Sequence, residues 1–259
     1  MVQKSKFNHD LKQEQILSRY LDKVYKYRGI DDNLVRVVSK DSTAVTSDYL
    51  ATVASNDLQS AGVDLVYSNP SKNNGFNYNI DEKAQLSRLN KSLPTFAFEL
   101  SYMFNGNQKK GWLFDATKTT HYYFLVTRIF LKNGLTKLSH EDQVAGCTIT
   151  KVHRDNLKAM LCNSTITNPD SDSLLKDFEG QPLTALNCEV IADRLRAYEN
   201  NSGNLKKIRL NQKMKVSYSG FLKEKPINIV IRLDHILEHT SDSSQKDYKT
   251  GSNGEVSFA

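Results

Sequence analysis

The chain has 259 residues, 39% of them hydrophobic and 25% charged. That is length for one large domain or a domain with an added lobe, and a composition that excludes both a disordered or fibrous chain and a disulfide-stapled miniprotein. Lys plus Arg outnumber Asp plus Glu 35 to 29, a net charge of +6, which favours polyanionic partners without naming one.

No stretch approaches the roughly 18 apolar residues of a membrane span; the most apolar, Tyr122 to Leu131, is short and interrupted by Thr127 and Arg128. The opening MVQKSKFNHDLKQEQ has no apolar core of a signal peptide. The three cysteines, Cys147, Cys162 and Cys188, are odd in number and widely spaced. The expectation is a cytoplasmic protein without a membrane partner, with Cys162 and Cys188 as small buried apolar residues in helices.

From about Asn8 to Arg28, Leu17, Tyr20, Leu21, Val24 and Tyr25 recur at offsets of three and four. Asp10 with Gln13 resembles a capping box, and Gly29 ends the pattern, so an amphipathic helix is predicted. Glu14 lies beside its apolar stripe. Residues 39 to 61 are polar and mixed. Val63, Leu65 and Tyr67 then alternate with Asp64, Val66 and Ser68, and NPSKNNG is a dense turn signal, which predicts a hairpin. On the returning strand Phe76, Tyr78 and Ile80 share one face, while Asn77, Asn79, Asp81 and Lys83 share the other. Alternation puts Glu82 on the apolar face, where an unpaired charge is costly, so it is expected at the strand end near water.

A short helix over 84–91 is predicted, then a strand from Thr95 to Phe104 with Glu99 on its more polar face, a turn in GNQKKG, a short strand from Trp112 to Phe114 and a strong strand in HYYFLVTRIFL. Val144 to Val152 reads as another strand, His153 to Cys162 as a helix, and NSTITNPDSDS as a polar connector that marks a lobe boundary. Leu183 to Tyr198 reads as a helix, Lys213 to Tyr218 and Ile227 to Leu233 as strands, and 240–259 as a flexible tail. Between Leu205 and Lys225 seven Lys or Arg face a single Glu224. That density suits phosphate contacts, with Lys206, Lys207, Arg209, Lys213 and Lys215 as the candidates; a solvated strand face gives the same letters.

The segments GVDLVYS and NIDEKAQ carry the strongest chemical signal. An Asp on one strand, a turn and Asp-x-Lys on the partner bring Asp64, Asp81 and Lys83 to one spot. Two carboxylates suit Mg²⁺ (or Mn²⁺), a hard ion that takes oxygen ligands, and an ammonium beside them serves to hold or help deprotonate an attacking water, or to compensate charge on a scissile phosphate. Asp-x-Lys occurs three times, at Asp10, Asp81 and Asp247, but only Asp81 has a strand, a turn and an upstream strand aspartate around it. An ordinary Asp–Lys pair on a surface hairpin is the competing structural reading.

Over roughly Gly62 to Gln85 the chain resembles the PD-(D/E)XK nuclease superfamily, with its restriction-endonuclease-like fold. Asp64 stands in the first acidic position, Asp81 in the second and Lys83 as the lysine. The GVD step and Gln85 look like the exonuclease-type branch. The resemblance implies Asp64 and Asp81 as metal ligands, Lys83 at the water, Glu14 as a helix carboxylate near the metal and Glu99 as a further ligand or organiser. It also implies a core of helix, three strands, helix and strand; between Met103 and His121 no amphipathic helix is legible, so either 84–90 supplies it or the topology is decorated.

His235-Ile-Leu-Glu238-His239 spells H-x-x-E-H, an inverted zinc-protease signature, but Glu255 is the only glutamate that follows it to complete the ligand set. Trp112 is expected in or near the core, and His121 is expected to make a local hydrogen bond at a strand entry. The expectation is thus an α/β (α+β) protein: a nuclease-like core over 1–162 with an N-terminal helix and central mixed sheet, a smaller basic lobe over 163–239 and a tail over 240–259. It would be a Mg²⁺-dependent endo- or exonuclease acting on nucleic acid, DNA in the first instance, with a homodimer among its candidate partners. The alternatives are an inactive nucleic-acid- or protein-binding module of the same fold, and an interaction protein whose basic lobe is only surface.

Overall fold

A computed structural model describes residues 7–38, 49–68, 77–167, 173–202, 207–220 and 222–259. In chain order the elements begin with α1 (Phe7–Tyr27), β1 (Leu34–Val38), β2 (Ala51–Ala54), α2 (Asn56–Ser60), β3 (Leu65–Ser68), β4 (Asn77–Ala84), β5 (Thr95–Phe104), β6 (Asn107–Lys110), β7 (Tyr122–Leu131) and β8 (Val144–His153). They continue with α3 (Arg154–Asn163), α4 (Ala185–Ser202), β9 (Lys207–Arg209), β10 (Met214–Tyr218), β11 (Ile227–Arg232), α5 (Leu233–His239), β12 (Ser244–Thr250) and β13 (Val256–Phe258). This is a mixed α+β architecture with two sheets. Among the described residues no helix is long and apolar enough to cross a membrane.

The chain divides into two compact units. The first, built from Lys6–Leu93, Thr117–Arg154 and Asp242–Ala259, holds an eight-stranded mixed sheet in the order β13-β12-β8-β7-β4-β3-β1-β2. β1, β3 and β4 form an antiparallel run, and β7 lies parallel to β4. Parallel neighbours need a long crossover. Here the segment between β4 and β7 contains β5, β6 and only a single 3-10 turn at Leu86–Arg88, where the sequence suggests a short helix over 84–91. Leu17, Tyr20, Leu21, Val24 and Tyr25 are all buried, and they form one core with Leu34, Leu65, Ile80 and Val126 from the sheet. α1 therefore covers the sheet face that the apolar alternation of β3 and β4 creates.

That face also takes charge. Arg36 on β1 is buried between Asp22 of α1 and Glu82 of β4: its Nε donates to Asp22 at 2.8 Å and its Nη1 to Glu82 at 2.6 Å. The Tyr25 hydroxyl donates to the other Glu82 oxygen at 2.5 Å. Glu82 is thus not rescued by water at a strand end; it is neutralised inside the protein. Burial and the neighbouring carboxylates push its pKa up against the pull of Arg36.

The second unit contains Pro94–Ala116 and Asp155–Ser241, with a five-stranded sheet in the order β6-β5-β11-β10-β9. Phe96, Phe98, Leu100, Ile208, Met214, Val216, Ile227, Ile229 and Ile231 are buried on its inner face, and α4 packs against β5. The alternate positions are mostly polar, with Ala97 and Val230 as apolar exceptions.

Several expectations are corrected. Residues 240–259 are not a tail: β12 pairs with β8, and β13 with β12. Alternation there is weak in the letters because β12 is a mostly exposed strand with Tyr248 as its buried anchor. The 1–162, 163–239 and 240–259 division gives way to interleaved units, because β5 and β6 leave the large sheet's stretch of chain to join the other sheet. Asp10 lies within α1 rather than at its start. The hairpin after β5 turns at Asn105 and Gly106, and 112–114 is a turn, not a strand. β1 and β2 had no clear signal. Cys162 is exposed, whereas Cys147 and Cys188 are buried. The NPSKNNG turn and Phe76 lie outside the described residues.

Arg36→Ala would leave two buried carboxylates without their cation, and the expected loss is about 3–5 kcal/mol of unfolding free energy. The check is the denaturant midpoint at constant m. Replacing Asp22, Arg36 and Glu82 together by apolar residues of similar volume should recover most of that loss.

Candidate functional site

The site is built on the face of β4 opposite to Arg36. Alternation sends Asp81 and Lys83 the same way, and Lys83 Nζ lies 2.8 Å from Asp81 Oδ1. Asp64 immediately precedes β3. Its N–H donates to the Ile80 carbonyl at 2.9 Å and its own carbonyl accepts from Val37 at 2.8 Å. Asp64 thus sits at the junction where β3 meets β4 at Ile80. Asp64 Oδ2 accepts the Glu82 backbone N–H at 2.8 Å, which fixes the carboxylate at the strand junction, and the two aspartyl groups are hydrogen-bonding neighbours. The three residues read from the letters are therefore brought together.

Gly62 forms the adjoining wall. Its φ of +76° suits glycine, and a Cβ there would stand 3.6 Å from Asp81 Oδ2, 3.1 Å from Lys118 Cδ and 3.3 Å from Thr120 Oγ1. Thr120 Oγ1 donates to the Gly62 carbonyl at 2.7 Å, Lys118 Nζ to the Ser60 carbonyl at 2.7 Å, and Arg154 Nη1 to the Lys118 carbonyl at 2.8 Å. Tyr123 on β7 is the register partner of Asp81; it is fully buried and hydrogen-bonded to Arg154. Sequence reasoning missed Lys118, Thr120, Tyr123 and Arg154. Only the parallel β4–β7 pairing, made across a crossover of nearly forty residues, brings them to Asp81.

The electrostatics follow from crowding. Asp81 is pushed from 3.8 up to about 8, first by burial and then by Asp64, against the pull of Lys83. Burial opposes the Lys83 charge, yet Asp81, Asp64 and Glu14 hold its ammonium above the ordinary lysine range. Two carboxylates and one ammonium leave one excess negative charge, and the metal-free site meets it by keeping a proton. A hard divalent cation between two aspartyl groups satisfies the same excess, so the oxygen donor set fits Mg²⁺ or Mn²⁺.

Compared with protein-family models, with curated proteins and with solved structures, the chain matches none.

The other expected residues are placed as follows. Glu14 is exposed on α1 and its charge acts on Lys83. Gln85 follows β4, where its N–H donates to Val126 at 3.0 Å. Glu99 sits on β5, opposite Asn228, in the other unit; no strand of the large sheet carries it. Asp247 is on β12 rather than in a tail, but its register partner is Thr148, so this Asp-x-Lys faces no second acid. His121 accepts the Asn79 N–H at Nδ1, 2.9 Å away, the expected local bond. Trp112 is half-buried against Phe98.

Among the basic candidates, Lys207 and Arg209 are exposed on β9, Lys215 is half-buried on β10 directly opposite Arg209, and Lys213 Nζ lies 3.6 Å from Asp234. Lys206 lies outside the described residues. Two cations thus share one cross-strand position.

The raised Asp81 gives a signed pH effect. Between 3.8 and about 8 the folded chain holds a proton that the unfolded chain has released. Its contribution to stability is therefore complete below that window and is lost as the pH rises through the folded value. Asp81→Asn should melt above the parent protein near pH 8, with the difference shrinking towards pH 4. A difference that does not vary with pH contradicts the shared-proton account.

Proposed function

We propose that the protein is a Mg²⁺-dependent (or Mn²⁺-dependent) nuclease that hydrolyses phosphodiester bonds of DNA, with the restriction-endonuclease-like core of the PD-(D/E)XK superfamily. The observation that carries the reading is the convergence of Asp64, Asp81 and Lys83 on one sheet face. The topology supports it too: α1, the antiparallel β1, β3 and β4, and β7 parallel to β4 follow the order that the resemblance implies. Two decorations distinguish this chain, β2 with α2 inserted after β1, and a crossover without an α-helix.

Asp64 and Asp81 would hold the cation, which when bound polarises a phosphoryl group and lowers the pKa of water. Lys83 stays charged at neutral pH because carboxylates surround it. It therefore acts as a donor that holds the attacking water or compensates charge on the scissile phosphate, and not as the base in the metal-free state. Lys118, whose carbonyl is held by Arg154 and whose ammonium is bonded to the Ser60 carbonyl, lines the wall at Gly62. The basic row of β9 and β10 would contact the phosphate backbone.

Asp81→Ala and Lys83→Ala should each reduce metal-dependent cleavage by about 100-fold or more while leaving DNA binding largely intact, measured as initial cleavage rate and equilibrium binding on the same substrate. If the parent protein cleaves neither DNA nor RNA with Mg²⁺ or Mn²⁺, the reading gives way to a binding module of the same fold. Replacing Lys207, Arg209 and Lys215 together with Ala should weaken DNA binding and flatten its dependence on log salt by about 0.9 per lost phosphate contact. Unchanged binding and slope would make that row surface only.

A further inference from the structure

The nuclease reading leaves one motif unused. His235, Glu238 and His239 occupy one turn of α5 in the second unit, and one potential ligand atom from each lies within 4.8 Å of the others. Helical spacing accounts for the cluster, since residues three and four apart share a face.

Two further observations point to a ligand. His239 Nδ1 lies 3.0 Å from the His235 carbonyl; a carbonyl only accepts, so Nδ1 carries the proton and the Nε2 lone pair is left for coordination. A ring nitrogen fixed in this way by a backbone carbonyl is the usual support of a metal-binding histidine. In addition, His235 Nε2 is buried and meets no hydrogen-bond partner among the described residues, a cost that coordination would remove. The neighbouring carboxylate is already committed: Asp234 is bonded by Arg232 at 2.6 Å and faces Lys213 at 3.6 Å. Glu238 is exposed and is the carboxylate that completes the cluster.

We infer that His235, Glu238 and His239 form a binding site for a single first-row transition cation, with Zn²⁺ as the best match. Two imidazoles and one carboxylate suit Zn²⁺ and select against Mg²⁺, which takes oxygen donors. All three ligands come from one short helix with its open side towards water, so solvent supplies the remaining ligand. The ion bridges positions four residues apart and so ties down the turn. The site is independent of the Asp64–Asp81 pair and carries no hydrolytic role.

The test uses the full chain carrying Asp64→Asn and Asp81→Asn, stripped with a chelator, so that the aspartyl pair cannot take the added ion. ZnCl₂ is titrated by calorimetry and Co²⁺ by visible absorption. The expected result is one equivalent of Zn²⁺, weakened at least about 10-fold by His239→Ala and by His235→Gln and less by Glu238→Gln, with Co²⁺ bands that disappear in the histidine variants. His239 is exposed, so its truncation should leave the circular dichroism unchanged. If the double aspartate variant does not fold, the unmodified chain saturated with Mg²⁺ takes its place. Absence of a saturable equivalent, or an affinity unchanged in His239→Ala, overturns the inference.

Discussion

Three consecutive charged residues, Asp81, Glu82 and Lys83, lie on a strand with neighbours on both sides, and the large sheet depends on how their charges are met. Strand alternation divides them. Glu82 enters the core beneath α1, where Arg36 and Tyr25 donate to it and Asp22 shares the Arg36 guanidinium; Asp81 and Lys83 face the other way and meet Asp64. The Arg36 network thereby does more than neutralise a core charge. It fixes the rotation of β4, because a slip of one residue would exchange Glu82 with its neighbours and place them against the apolar face of α1.

Both faces set two carboxylates against one cation. On the core side Asp22 and Glu82 share the single guanidinium of Arg36. On the site side the ammonium of Lys83 keeps about a third of its side chain in solvent, 31%, while Asp81 keeps 4%. An added cation approaching on that side would meet Asp64 and Asp81 beside the part-exposed Lys83. Gly62 widens this approach by having no side chain where Asp81, Lys118 and Thr120 converge. Binding a cation there would exchange a retained proton for a metal, so affinity and protonation are linked at this site.

The second unit follows a simpler rule. Its sheet buries alternate aliphatic and aromatic residues and turns the basic ones outward, which concentrates Lys207, Arg209 and Lys215 on β9 and β10.

The sequence by itself determined the elements with strong periodicity and the residues close along the chain. α1, β3 to β5, β7, β8, α3, α4, β10 and β11 were legible because apolar period and turn residues coincide there, and Asp64, Asp81 and Lys83 were legible because a hairpin joins them with few residues between. Local pattern could not disclose β12 and β13, whose pairing with β8 draws on residues a hundred positions earlier, or the departure of β5 and β6 into the other sheet. Nor could it disclose that Arg36 answers Glu82, that Tyr123 stands beside Asp81, or that Arg154 is bonded to Tyr123 and the Lys118 carbonyl. Those partnerships join segments remote in the chain, and only tertiary pairing decides them, since a side chain's neighbours across a sheet are set by strand order and register rather than by the letters beside it.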